Sequence, residues 1–248
     1  MPDILGYRRK FGVVAPSTNT VVQPEMDAMR PPGVTNHFSR AVIPDIKVTD
    51  NASFKAMTAA INAALLPAVE ALATCKPDYI VLGLSGETFA DGLKGSDRLK
   101  RAFEQRGGVD VAMPSDACRA ALRRYGKIKR LGIVTPYMPV GDAMVRRFFT
   151  ECGFEVVRIV GLKCGSPTQI AQVSERQLRD AVLAANRGKV DAVLQVGTNL
   201  AMARLAGIAE FWLDKPVLAI NTATYWHALR ENGIGDKIHG FGSLLAEH

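Results

Sequence analysis

Short, unbroken apolar runs alternate along this chain with longer stretches in which apolar residues return every three or four positions. The runs are KFGVVAP (10–16), DYIVLGL (78–84), KRLGIVTP (129–136), FEVVRIVGL (154–162), DAVLQVG (191–197) and KPVLAIN (215–221). Each is rich in β-branched residues and ends at turn formers, as strands buried on both faces do. Between them, SFKAMTAAINAALLPAVEALATC (53–75), PSDACRAALRRYG (114–126), VGDAMVRRFFTECG (140–153), SERQLRDAVLAANRG (174–188) and TATYWHALRENG (222–233) carry the helical period. The alternation predicts an α/β fold with mostly parallel sheets.

The pattern also repeats. RKFGVVAP (9–16) pairs with KRLGIVTP (129–136), PDYIVLGLSG (77–86) with VDAVLQVGTN (190–199), and VAMPSDACRAAL (111–122) with AINTATYWHAL (219–229), in the same order. A duplicated unit predicts two Rossmann-like lobes related by a pseudo-two-fold axis, with a cleft between them. The expected boundaries are 1–124 for the first lobe, with 219–248 returning to it, and 125–218 for the second.

In open parallel sheets, ligands sit beyond the carboxyl ends of the strands, near helix starts. The loops there read APSTNT, LSGETF, PSDA, TPYMPVGD, VGTNLA and NTAT. Their hydroxyls, amides and backbone N–H groups suit a carboxylate, although any one of them can equally serve as a helix cap. No Walker pattern or GxGxxG follows a strand, which disfavours a nucleotide.

Charge and cysteine usage narrow the picture further. Lys and Arg outnumber Asp and Glu by 31 to 24, spread as solvated faces without the aromatic interleaving of a nucleic-acid site. The mild positive field favours anionic substrates. The N-terminus lacks a signal peptide's apolar core, and no run is expected to reach the length of a membrane span, so a cytoplasmic location is expected. Cys75, Cys118, Cys152 and Cys164 show no metal-ligand or redox spacing, which predicts structural cysteines and no metal. His37 reads as a surface residue and His227 as a packing residue.

The blocks GVVAPSTNTVVQPEM, GLSGETFADG, GIVTPYMPVGD, VGTNLAMA and KPVLAINTATYWHALRENGI span most of the chain. They resemble the aspartate/glutamate racemase superfamily, and within it the branch of maleate cis-trans isomerases and arylmalonate decarboxylases. The resemblance implies a small carboxylate held between two lobes, no cofactor, and a thiol acting from each lobe (from the second alone in the decarboxylases). It sets Leu84 and Gly197 where those thiols belong. It assigns carboxylate binding to Asn19 and Tyr137, and places Ser85 and Gly86, with Thr198 and Asn199 opposite, in the anion pocket with Ser17 and Gly197. Self-association into a homo-oligomer is expected.

With both thiols replaced, Ser85, Glu87 and Tyr137 become the candidate catalytic residues. Glu87 can either complement a helix start or, enclosed in the cleft, act as a general acid/base. The expected activity is a cofactor-independent lyase, isomerase or hydrolase step on a small mono- or dicarboxylate. The alternatives are ordinary family turnover with a displaced donor, and a carboxylate-binding protein that has lost the chemistry.

Overall fold

All six apolar runs form strands in the computed structural model, which describes residues 3–248. The first half holds β1 (Arg9–Pro16), α1 (Val22–Ala28), β2 (Val34–Ala41), α2 (Asn51–Ala73), β3 (Tyr79–Leu82), α3 (Gly86–Phe89), α4 (Gly92–Gly107), β4 (Val111–Ala112) and α5 (Pro114–Arg124). The second holds β5 (Arg130–Thr135), α6 (Pro139–Glu151), β6 (Glu155–Gly161), a 3-10 turn (Thr168–Gln172), α7 (Glu175–Ala185), β7 (Ala192–Gln195), α8 (Ala203–Leu213), β8 (Val217–Ala219), α9 (Ile220–Glu231) and α10 (Ser243–Glu247). Among the described residues the strands make two parallel sheets, ordered β2-β1-β3-β4 and β6-β5-β7-β8.

The two orders are the same order, and the repeat extends to single hydrogen bonds. Asp78 and Asp191 open β3 and β7, and each carboxylate accepts a backbone N–H from the neighbouring strand, Lys10 and Arg130, at 2.8 Å. Val14 pairs with Leu82 as Val134 pairs with Gln195. Past those pairs, the Gly83 N–H donates to Val14 O at 2.7 Å and the Val196 N–H to Val134 O at 2.8 Å. This register makes Leu84 and Gly197 equivalent positions, along with Ser85 and Thr198. One hydrophobic core runs from Phe11 and Val13 of the first sheet to Leu131 and Ile133 of the second, through α9. Helix α9 leaves the second sheet and packs on α5 of the first.

Strands β2 and β4 and helices α1, α4, α8 and α10 lie outside the expected set. Strand β2, VTNHFSRA, is a half-buried edge strand with neither an apolar run nor clean alternation, and it places His37 within a strand. Helix α4 is strongly charged, with Phe103 its one large buried side chain. Asn221, expected at the end of a strand, lies in the first turn of α9. In addition, α2 is long and apolar enough to cross a membrane by length and composition, contrary to the expectation for any run. Exposed alanines supply much of that apolarity. Its larger side chains, Phe54, Ile61, Leu65 and Leu72, are buried, and the helix packs against β1 and β2.

Gly12 and Gly132 occupy matching positions where β1 and β5 pass the end of a helix. A Cβ on Gly132 would lie 2.1 Å from Ala185 O, a backbone atom, whereas one on Gly12 would meet the movable Leu72 Cδ2 at 2.6 Å. Gly132→Ala should therefore lower stability by about 1–3 kcal/mol, the usual cost of overpacking, and Gly12→Ala by less. Urea denaturation of the two variants checks this, and equal losses would contradict the backbone-contact argument.

Candidate active site

The carboxyl ends of β3 and β7 face each other, and the loops that follow them interlock at Thr198. Its N–H donates to Ser85 Oγ at 3.3 Å, its hydroxyl donates to Gly83 O at 3.1 Å, and its carbonyl accepts from Asn221 Nδ2 at 2.9 Å. Asn19 Nδ2 donates to the Thr198 hydroxyl at 3.2 Å. Ser85 Oγ lies 2.6 Å from Tyr137 OH, so two hydroxyls from opposite lobes form a pair.

Around this pair lies a cavity of about 70 Å³. At roughly 10–15 Å³ per water-sized group it takes a ligand of only a few such groups. Asn19, Ser85, Glu87, Tyr137 and Thr198 supply its polar surface, and Ile43, Phe54, Met57, Ile61, Leu84 and Ile170 an apolar wall. No Lys, Arg or His is among the lining residues. An anion there must be held by neutral donors.

Glu87 is the one ionisable carboxyl in the cavity lining. It sits in α3, a single turn, and is 6% exposed. Among the described residues no other residue hydrogen-bonds its carboxylate, and burial pushes its pKa up to about 7. A carboxylate stabilised by a helix start would shift the other way. Glu87 stands in the first turn of α3, and there desolvation is the larger influence on its proton. The turn is held by Phe89, whose ring packs on Phe148 and Phe149 of α6 with centroids 5.2 and 5.7 Å away. Such aromatic pairs contribute about 0.5–1.5 kcal/mol each.

Tyr137 is fixed from behind. Its N–H donates to Thr135 Oγ1 at 3.2 Å, the Thr135 hydroxyl donates to Asp142, and its ring stands edge-on to Phe54 at 6.0 Å. Burial, above all, pushes the phenol's pKa upward. It is a hydrogen-bond donor at neutral pH.

The remaining expected site residues divide by what their side chains already hold. Asn19 lines the cavity, but its Oδ1 accepts from the Val21 and Val22 N–H groups at 3.0 and 2.9 Å and closes the turn into α1. Gly86 lines the cavity below Tyr137. Asn199 also borders it, yet its amide is spent on joining lobes: Oδ1 accepts from the Thr20 N–H at 3.0 Å and Nδ2 donates to Pro167 O at 2.9 Å. Ser17 is exposed and outside the lining; its hydroxyl exchanges hydrogen bonds with the Ile43 backbone. Gly197 has φ +116°, and a Cβ there would lie 2.4 Å from Pro136 Cδ, so a side chain is excluded twice.

None of the four cysteines lines the cavity. Cys118 is buried with its thiol pushed far up, Cys152 is raised to about 11, and Cys164 is raised by burial beside Tyr137 in a small side pocket. His227 lies outside the lining, its pKa lowered by burial. Among the described residues no group of three or more His, Cys, Asp or Glu could hold a metal ion.

Sequence reasoning missed Glu25 and the apolar wall. Glu25 Oε1 accepts from the Ala203 N–H at 2.9 Å and Oε2 from Asn221 Nδ2 at 2.7 Å, tying α1 to the starts of α8 and α9. Desolvation raises its pKa. Nothing local in QPEM signals a partner so distant in sequence.

Comparison with known proteins agrees with this architecture. The family model for arylmalonate decarboxylase matches residues 12–245. A maleate isomerase of Pseudomonas putida is 26% identical, covering 96% of this chain and 97% of its own. The fold matches that of a Nocardia farcinica maleate cis-trans isomerase, a cysteine-to-serine variant with a covalently bound succinylcysteine intermediate, at TM-score 0.88 and 24% identity over 97% of this chain and 99% of that one. It also matches a double variant of arylmalonate decarboxylase in its liganded form, at TM-score 0.81 and 21% identity over 97% of this chain and 100% of that one.

The buried carboxyl has a measurable signature. Glu87 binds its proton more tightly folded than unfolded, so its contribution to stability is complete below pH 4.5 and is lost as the pH climbs through about 7. The loss runs at up to ~1.4 kcal/mol per pH unit within that window. Urea titrations of wild type and Glu87→Gln should diverge between about pH 5 and about pH 8, the wild type losing more. Parallel curves would show a solvated carboxyl.

Proposed function

The chain belongs to the arylmalonate decarboxylase family, and from that membership we propose that it is a cofactor-independent isomerase or lyase acting on a small carboxylate, with Glu87 as its acid/base. The observation that carries this reading is the Glu87 carboxyl, buried in the cavity that holds the Ser85–Tyr137 hydroxyl pair and titrating near neutrality. A general acid/base works best with a pKa close to the working pH.

The reaction follows from the donors. Within the Ser85–Tyr137 pair one hydroxyl donates to the other, and the second donates to one substrate carboxylate, supported by the Asn19 amide hydrogen not used on Thr198. Glu87 removes a proton from the adjacent carbon, or delivers one to it. The negative charge that develops on the carboxylate oxygens as an enediolate forms meets neutral donors already in place, the usual source of the largest catalytic effect. Ser85 acts here as a donor and not as a nucleophile. Its partners are a phenol and an N–H, neither of which is a base.

This chemistry takes the place of thiols. In the Nocardia isomerase a cysteine carries the succinyl intermediate. The family resemblance sets Leu84, whose side chain belongs to the apolar core, and Gly197, whose backbone excludes a side chain, where the thiols belong. Glu87 stands three residues beyond Leu84 and reaches the same cavity.

Exchange of the α-hydrogen in deuterated water, followed by NMR across a panel of small mono- and dicarboxylates, tests the assignment. Glu87→Gln should slow exchange by about 10²–10⁴-fold, the usual contribution of a general acid/base. Tyr137→Phe should weaken carboxylate binding about 10- to 150-fold, the loss of one charge-assisted hydrogen bond, and Asn19→Ala by less, part of its cost falling on the α1 turn. Binding without exchange in wild type would instead support a carboxylate-binding protein that has lost the chemistry.

Iodoacetamide should leave turnover intact. Inactivation that a bound carboxylate prevents would put a thiol, Cys164 above all, into the reaction.

A further inference from the structure

Glu87 separates two cavities. The substrate cavity lies on one side; on the other, between α2 and α4, is a second cavity of about 280 Å³ bounded by Asn62, Leu66, Ala90, Arg98, Ala102 and Glu87 itself. The second has a charged rim, where Arg98 and Asp91 form an exposed ion pair at 2.8 Å. The substrate cavity is small enough that a ligand in it leaves little room for water. The α2–α4 cavity is larger, more polar at its mouth and independent of that ligand.

We infer that Glu87 exchanges its proton with solvent through the α2–α4 cavity, so that the acid is recharged while a ligand fills the substrate cavity. This rests on the acid/base role proposed above and adds a preference between the two reaction types. In a decarboxylation the bond from the α-carbon to the departing carboxylate breaks and carbon dioxide leaves. The electron pair stays behind as an enediolate, and Glu87 gives its proton to the α-carbon. Each turnover then leaves Glu87 ionised, and water in the second cavity must reprotonate it from the buffer. An isomerisation by proton transfer returns the same proton and needs no such supply. A separate route to solvent suits the proton-consuming lyase.

The route can be tested without knowing the substrate. The probe is a water-soluble carbodiimide with glycinamide, which converts an accessible protonated carboxyl into an amide, and peptide mass spectrometry reads the yield at Glu87. Glu87 should be labelled in the native protein. Ala102→Trp and Leu66→Trp, which fill the α2–α4 cavity from opposite walls, should each cut that labelling by an order of magnitude or more. Met57→Trp, which fills the substrate cavity, should leave it in place. Unchanged melting temperature and unchanged labelling of exposed carboxylates identify the variants that fold, and either of the two plugging variants suffices. The proposal is overturned if native Glu87 resists the reagent, if a folded plugging variant labels like wild type, or if Met57→Trp alone abolishes labelling. Full activity of Glu87→Gln is a different failure. It would remove the acid/base role while leaving the measured access route as it stands.

Discussion

Thr198 is the residue on which the two halves close. Its N–H, hydroxyl and carbonyl all bond across the gap or to the neighbouring helix, and its four partners come from two loops of the first lobe and the start of α9. A net hydrogen bond contributes only about 0.5–1.5 kcal/mol, but a buried polar group left without a partner costs about 1–3. The knot is therefore strongly preferred in one arrangement, and that arrangement sets the Ser85–Tyr137 distance. Glu25 and Asn199 add ties of the same kind on either side. Together with α9 lying on α5, they tie the lobes to each other around the cavity.

The packing around the cavity is what desolvates the Glu87 carboxyl and pushes its pKa upward. The cost of burying Glu87 without an external partner is met by its neighbours in the chain and in space. Phe89, two residues on, anchors the turn in the aromatic cluster of α6, and the apolar face of α2 supplies the far wall. Stability and chemistry draw on the same packing, as is common at functional sites.

The strands were legible because parallel strands buried on both faces must be continuously apolar, and the duplication because its three blocks keep their order. Strand β2 was not, since an edge strand facing water on one side carries Thr, Asn, His, Ser and Arg. In the site, the loops that would converge could be named from their position after the strands. Which side chains remain free within them could not. Asn19 and Asn199 look alike in sequence, yet one uses its Nδ2 on Thr198 alone and the other spends its amide on Thr20 and Pro167. Ser17 and Glu25 become struts through contacts with residues far along the chain. The same holds for Glu87, because desolvation is a property of everything packed around a residue and leaves no local mark.

The duplication is not complete in one respect. By the strand registers, the counterpart of Glu87 in the second lobe is Leu200, fully buried and without a proton to give. Leu200 lies outside the cavity lining, so the second lobe offers no acid at the matching position. With Glu87 as the donor, hydrogen reaches a single face of the planar carbon. On the acid role proposed for Glu87, the handedness of the product would follow from the asymmetry of a fold that is otherwise built twice.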